Sequence, residues 1–142
     1  MKKFDKMKLE IESKSVNESF ARAAVAAFAA RLDPSLEEIN DIKTAVSEAV
    51  TNCIVHAYPD RIGSIQIVCR VFEDYIELRI RDYGCGIPDI EKAREPMFTT
   101  GGADRSGMGF TVMESFMSEL RVRSKPGTGT TVTMIKRMRP RR

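Results

Sequence analysis

Apolar positions along this chain switch between a period of two and a period near 3.6. Met7, Leu9 and Ile11 alternate with charged residues, which predicts a half-buried first strand. Ser15-Val-Asn-Glu18 follows as a capping-box pattern, a hydroxyl at the cap and a carboxylate three residues on. It opens an Ala-rich helix through Phe20, Ala24, Ala27, Phe28 and Leu32. Leu36, Ile39, Ile42, Val46, Ala49, Val50, Cys53, Ile54 and Ala57 make the apolar stripe of a second helix. Asp33-Pro34 supplies its start signal, a capping oxygen and then a preset φ. Tyr58 to Gly63 is a loop by its Pro and Gly content. Ile65, Ile67, Cys69 and Val71 alternate with polar residues, Glu73-Asp74 turns, and Ile76, Leu78 and Ile80 alternate up to Asp82. That is a hairpin with one buried face. Asp89 to Glu95 suits a short helix closed by Pro96. The polar, glycine-bearing stretch from Met97 to Ser106 reads as a functional loop or lid, because long irregular segments are uncommon inside compact domains. Met108 to Leu120 reads as a helix with Phe110, Met113, Phe116, Met117 and Leu120 inward. Leu120 and Val122 begin a fourth strand, Pro126-Gly-Thr-Gly129 turns, and Thr131 to Met138 is a fifth strand.

Composition narrows the class. Hydrophobic residues are 42% and charged residues 30% of 142, which supports one domain, residues 1–142, around one core. No apolar run approaches the ~20 residues of a membrane span, and no signal core follows the charged start, so a cytoplasmic protein is expected. Cys53, Cys69 and Cys85 lack metal-ligand spacing and read as reduced thiols. One His and no Trp nearly exclude His-based catalytic sets and multi-His metal sites. The net charge of +3 gathers in Lys136-Arg-Met-Arg-Pro-Arg-Arg142, read as a frayed, solubilising tail over residues 136–142 rather than a nucleic-acid contact.

Glu48, Asn52 and His56 are four residues apart, so they align along one side of the second helix. Taken alone this is a solvated face. Asp82-x-Gly84-x-Gly86 lies where a strand ends; its carboxylate can accept from an exocyclic amine, and its glycines let a flat ring approach the backbone. Taken alone it is a turn. Gly107-Met-Gly109 opens a helix whose exposed N–H groups and dipole suit phosphate, though a tightly packed junction explains it equally well. Neither a Walker loop nor a dinucleotide fingerprint is present.

Together the motifs are more specific. A helix with Glu-x-x-x-Asn, a strand with Asp-x-Gly-x-Gly-Ile, a lid, a Gly-x-Gly-Phe helix and Gly-Thr-Gly-Thr-Thr follow in an order that resembles the GHKL nucleotide-binding superfamily from Leu36 to Ile135. The resemblance implies an α/β two-layer sandwich of the Bergerat type, with a mixed, mostly antiparallel sheet and helices packed on one face. It implies ATP and Mg²⁺ as cofactors. By position, Asn52 would hold the metal and Glu48 would be the general base. Asp82, with Gly84, Gly86 and Thr130, would lie on the adenine side. Gly107, Met108, Gly109 and Phe110 would lie on the phosphate side, and Phe98-Thr99-Thr100 with Arg105 in the lid.

A sensor kinase would need a phosphoacceptor domain and a gyrase-like ATPase a transducer, and a stand-alone kinase domain with neither is expected. Asn17-Glu-Ser-Phe-Ala-Arg22, the Ser47-Glu-Ala-Val-Thr-Asn52 helix and Arg105-Ser-Gly-Met-Gly-Phe110 look like the anti-sigma factor serine kinases, specifically the anti-sigma-F group of spore-forming bacteria. That resemblance implies a kinase that holds a sporulation sigma factor and phosphorylates a serine of an anti-anti-sigma protein. Arg105 would help neutralise the transferred phosphoryl. It also implies a homodimer through the first helix and strand, with Arg22 near the sigma factor, and no direct nucleic-acid or membrane partner. Alternatives are a stress-response-type anti-sigma kinase and an ATP-binding interaction module without kinase activity.

Overall fold

The computed structural model describes residues 5–95 and 108–140. The elements are β1 (Asp5–Glu12), α1 (Val16–Ala29) with a 3-10 turn at Ala30–Leu32, and α2 (Leu36–Asn52) running into a π-helical turn at Cys53–Ala57. They continue with β2 (Ser64–Val71), β3 (Tyr75–Asp82), α3 (Ile90–Ala93), α4 (Gly109–Phe116), β4 (Glu119–Lys125) and β5 (Gly129–Arg137). The strands form one sheet in the order β1-β2-β3-β5-β4. Every described pair is antiparallel, so the sheet is more uniform than the mixed one expected.

Strand alternation decides the architecture. Ile65, Ile67 and Cys69 of β2, Ile76, Leu78 and Ile80 of β3, and Met134 of β5 turn to one face and are buried. They meet Ala21 and Val25 of α1, Ile42, Val46 and Val50 of α2, and Met113 of α4 in one core. Burying each of the larger side chains contributes about 1.5–3 kcal/mol. Ala21, Ala29, Ala45 and Ala49 are buried too, and their small size lets α1 and α2 lie close in the helical layer. The result is the two-layer sandwich expected, with helices on one face of the sheet.

Local signals were displaced in four places. Ser15 is already in helical conformation and makes no side-chain cap bond. Its expected partner Glu18 reaches across to Ser47 Oγ, 2.8 Å away. Asp33 does not start α2: at φ 50° it adopts the left-handed conformation that ends the preceding 3-10 turn. The cap is Ser35, whose Oγ accepts from the Glu38 amide while Glu38 accepts from the Ser35 amide, a complete capping box. α4 stops at Phe116, and Glu119 already belongs to β4.

The basic stretch differs from the frayed tail expected over its first part, because residues 136–139 are docked; Arg141 and Arg142 lie outside the described residues. Lys136 Nζ lies 2.9 Å from Asp41 of α2 and donates to the Phe116 carbonyl at 2.6 Å. Met138 is buried, and the Arg139 amide donates to Glu38 at 2.7 Å. These contacts give the charged residues partners that a sequence cannot display.

Candidate functional site

The π turn continues the axis of α2, so Ala49, Asn52, Cys53 and His56 line one wall of a cleft of about 600 Å³. Its floor is the junction of β3 and β5, with Asp82, Thr130 and Val132. The far rim is Gly86, Ile87, Pro88 and Asp89, and Gly109 and Phe110 of α4 stand at the mouth. The size and mostly apolar walls, with a few convergent polar groups, suit a small organic ligand.

Asp82 is the buried polar group of the floor. Its Oδ1 accepts the amides of Gly84 at 3.0 Å and Thr130 at 3.2 Å, and its Oδ2 faces the Cys53 thiol at 3.6 Å. Burial pushes its carboxyl pKa up, and the two amide bonds pull it partly back. The Cys53 thiol is pushed well above its ordinary range, by burial first and by the Asp82 charge next. All three cysteines are free thiols, as expected.

The glycines have separate local reasons. A Cβ on Gly84 would lie 2.3 Å from the Ala57 carbonyl oxygen, so this glycine lets β3 exit against the π turn. It is buried there and does not line the cleft. Gly86 has φ +79°, and a Cβ would lie 2.4 Å from the Lys125 carbonyl oxygen. A Cβ on Gly109 would lie 3.1 Å from both amide atoms of Asn52, which brings the start of α4 against that side chain.

The structure therefore brings Asn52, Asp82, Gly86, Gly109, Phe110 and Thr130 around one cleft. Met108 precedes α4 and is half-buried without lining the cleft. Glu48 opens instead on a neighbouring depression of about 390 Å³, shared with Arg22, Asn40, Lys43, Thr44 and Ser47. Arg22 is not a free surface charge: its Nη1 lies 3.4 Å from both Glu18 and Ser47. Thr99, Thr100, Arg105 and Gly107 lie outside the described residues.

Sequence reasoning missed the brace behind the floor. Ser124 Oγ accepts from the Ile87 amide at 2.7 Å and meets Thr130 Oγ1 at 2.8 Å, tying the far rim to β5. Tyr58 Oη accepts from the Tyr83 amide at 2.6 Å and donates to the Ser64 carbonyl at 2.7 Å, tying the π turn to the hairpin. Cys53 and the Ile87-Pro88 wall were also missed. Helical spacing of four from Ala49 leads to Cys53; nothing local marks Ser124.

Residues 11–136 match the family described as histidine kinase-like ATPase domain. The anti-sigma F factor of Caldanaerobacter subterraneus subsp. tengcongensis is 60% identical over 131 residues, covering 92% of each chain. The anti-sigma F factor of Clostridium novyi is 55% identical over 137 residues, covering 95% of this chain and 96% of that one. Among solved structures, that of the RsbU and RsbW domains of Rv1364c from Mycobacterium tuberculosis superposes with a TM-score of 0.71 at 21% identity. It covers 97% of this chain and 34% of its own. The mycobacterial sensor histidine kinase MprB gives 0.58 at 17% identity, over 95% of this chain and all of its own. The chain belongs to the histidine kinase-like ATPases of the GHKL type and, within them, to the anti-sigma F factors. That family membership implies ATP binding. No helix among the described residues is long and apolar enough to cross a membrane.

Proposed function

We propose that this chain binds ATP with Mg²⁺, transfers the γ-phosphoryl to a serine of an anti-anti-sigma protein, and holds a sporulation sigma factor. One observation carries the nucleotide part: Asn52 packs against Gly109 at the mouth of the cleft that has Asp82 on its floor. With Oδ1 committed to two amides, Asp82 has Oδ2 to accept from an adenine amine. Ile87 and Val132 would cover the ring. The amides at the start of α4 would receive phosphate oxygens.

The Asn52 amide oxygen is a neutral hard donor, which fits Mg²⁺, an ion that keeps several waters and takes much of its shell from phosphates. When bound, the ion would neutralise charge on the transferred group, a role shared with Arg105. Glu48 would take the serine proton, help typically worth ~10²–10⁴-fold. Because Glu48 opens on the depression beside the cleft, the serine would arrive from that side, past Arg22, which would also meet the sigma factor. β1 is an edge strand, and with α1 it is the surface we assign to a homodimer.

The experiment is phosphate transfer from γ-labelled ATP to the purified anti-anti-sigma protein, with ATP binding followed by calorimetry on the same sample. Binding with transfer supports the nucleotide and kinase parts of the reading, and absence of binding overturns them. Binding without transfer selects the ATP-dependent interaction module, which the placement of Glu48 outside the main cleft favours.

A further inference from the structure

The face of the sheet away from the helices carries a second feature. Arg79 of β3 pairs with Thr133 of β5, and Thr133 pairs with Arg121 of β4. One step along, Arg81 pairs with Thr131, and Thr131 with Arg123. The flanking residues Leu78, Ile80 and Val132 are buried in the core, so these four arginines point outward, and all four are exposed. They stand at the corners of a rectangle about 7 Å along the strands and about 10 Å across them, from strand rise and spacing. The two threonines lie between them.

This charge lacks balance from the chain itself. Among the described residues Arg79 and Arg123 have no ion pair. Arg81 lies over the Tyr83 ring, 4.7 Å from its centroid. Arg121 reaches only Glu119 at 3.6 Å, a carboxylate that Arg137 also holds. Like charges this close repel and return nothing to the fold, since outward strand positions accept neutral residues.

We infer that this face docks a carboxylate-rich segment of a protein partner across Arg79, Arg81, Arg121 and Arg123. Guanidinium groups pair bidentately with carboxylates, and the threonine hydroxyls between them add donors. The same face of a second copy is excluded by like charge. A nucleic-acid strand fits less well: on β1 the Arg79 row ends in Lys8 but the Arg81 row ends in Glu10, and Glu77 and Glu119 stand in the next row, so carboxylates interrupt the track a phosphate backbone would follow. The Tyr75 and Tyr83 rings are already stacked, on Phe72 and under Arg81.

The inference is independent of the nucleotide site, and its test separates the two. Isotope-labelled full-length protein is titrated with a short Asp/Glu-rich peptide and, separately, with a single-stranded oligonucleotide of equal charge, at physiological salt. The peptide is expected to shift the amides of β3, β5 and β4 around Thr131 and Thr133. Joint replacement Arg79→Glu and Arg123→Glu should weaken that binding on the order of tenfold or more, while Arg79→Lys with Arg123→Lys retains most of it and ATP affinity is unchanged in both. Tighter binding of the oligonucleotide to the same amides, peptide shifts confined elsewhere, or indifference to the charge reversal would each overturn the assignment.

Discussion

Asp82 and Thr130 face each other across β3 and β5, and the Thr130 amide donates to Asp82 Oδ1 at 3.2 Å. The pairing fixes the carboxylate at the floor of the cleft by strand register, not by loop conformation. Among the described residues Oδ2 is held only by the weak thiol donor of Cys53, so it is the oxygen available to recognise a ligand. Asp82→Asn should therefore cost ATP affinity about 5- to 150-fold, since an unmatched polar contact in a buried site costs about 1–3 kcal/mol. Calorimetric titration with ATP measures it, and unchanged affinity would remove Asp82 from ligand recognition.

The same carboxyl makes stability depend on pH. Burial raises its folded-state pKa above the ordinary carboxylate value. The folded state then holds its proton to higher pH than the unfolded state does. The stabilising contribution is complete below the unfolded pKa and is lost as pH rises through the raised folded value. Without nucleotide, the wild type should lose stability relative to Asp82→Asn across that window. Urea midpoints of both proteins below, within and above it test the sign.

Two glycines should separate folding from binding. Gly84→Ala drives a methyl to 2.3 Å from the Ala57 carbonyl oxygen, a backbone atom that cannot turn aside. It should destabilise by about 1–3 kcal/mol, the usual cost of overpacking. Gly109→Ala meets the Asn52 amide at 3.1 Å, where a small shift relieves the contact. Its fold should survive while ATP affinity falls, because the displaced group is Asn52. Thermal melts paired with nucleotide titration distinguish the outcomes; equal effects of both changes on melting would refute the division.

Lys136 illustrates what pattern could not reveal. Its side chain is 14% exposed and its partner Asp41 19% exposed. Lys136→Met leaves Asp41 half-buried without its cation, and should cost about 2 kcal/mol, below the full penalty of a buried pair because water still reaches both groups. A double-mutant cycle with Asp41→Asn should recover part of that loss. If the single change leaves the urea midpoint unmoved, the tail does not clamp α2.

These cases show why some of the molecule was legible and some was not. Strand alternation from Ile65 to Ile80 and the stripe from Ile42 to Val50 are local and periodic, so they predicted the sheet, the helical layer and the buried face. Asn52, Asp82 and Gly109 were each ambiguous alone and took their roles from the family resemblance that the order of the motifs carries. Ser35 displaced Asp33 as the cap because helix entry is decided by backbone angles that Asp, Pro and Ser all tolerate nearby. Ser124, Tyr58 and the docked tail act through partners far away in sequence, with Lys136 meeting a residue 95 positions earlier. Such pairings exist only once strand order is set.

The division between the two depressions leads to the last prediction. Glu48 and Asn52 sit one helical turn apart, yet Asn52 lines the main cleft and Glu48 the smaller depression with Arg22. A base that touches the incoming hydroxyl but not the nucleotide should affect transfer and leave binding alone. Glu48→Gln keeps size and hydrogen bonding while removing proton affinity. It should bind ATP as the wild type does and lose transfer by about 10²–10⁴-fold. Asn52→Ala should do the reverse, losing Mg·ATP affinity first, with transfer falling at subsaturating nucleotide. Labelled-phosphate transfer at saturating ATP, alongside calorimetry, separates the two. Normal transfer by Glu48→Gln would move the base elsewhere and leave Glu48 as a docking residue beside Arg22.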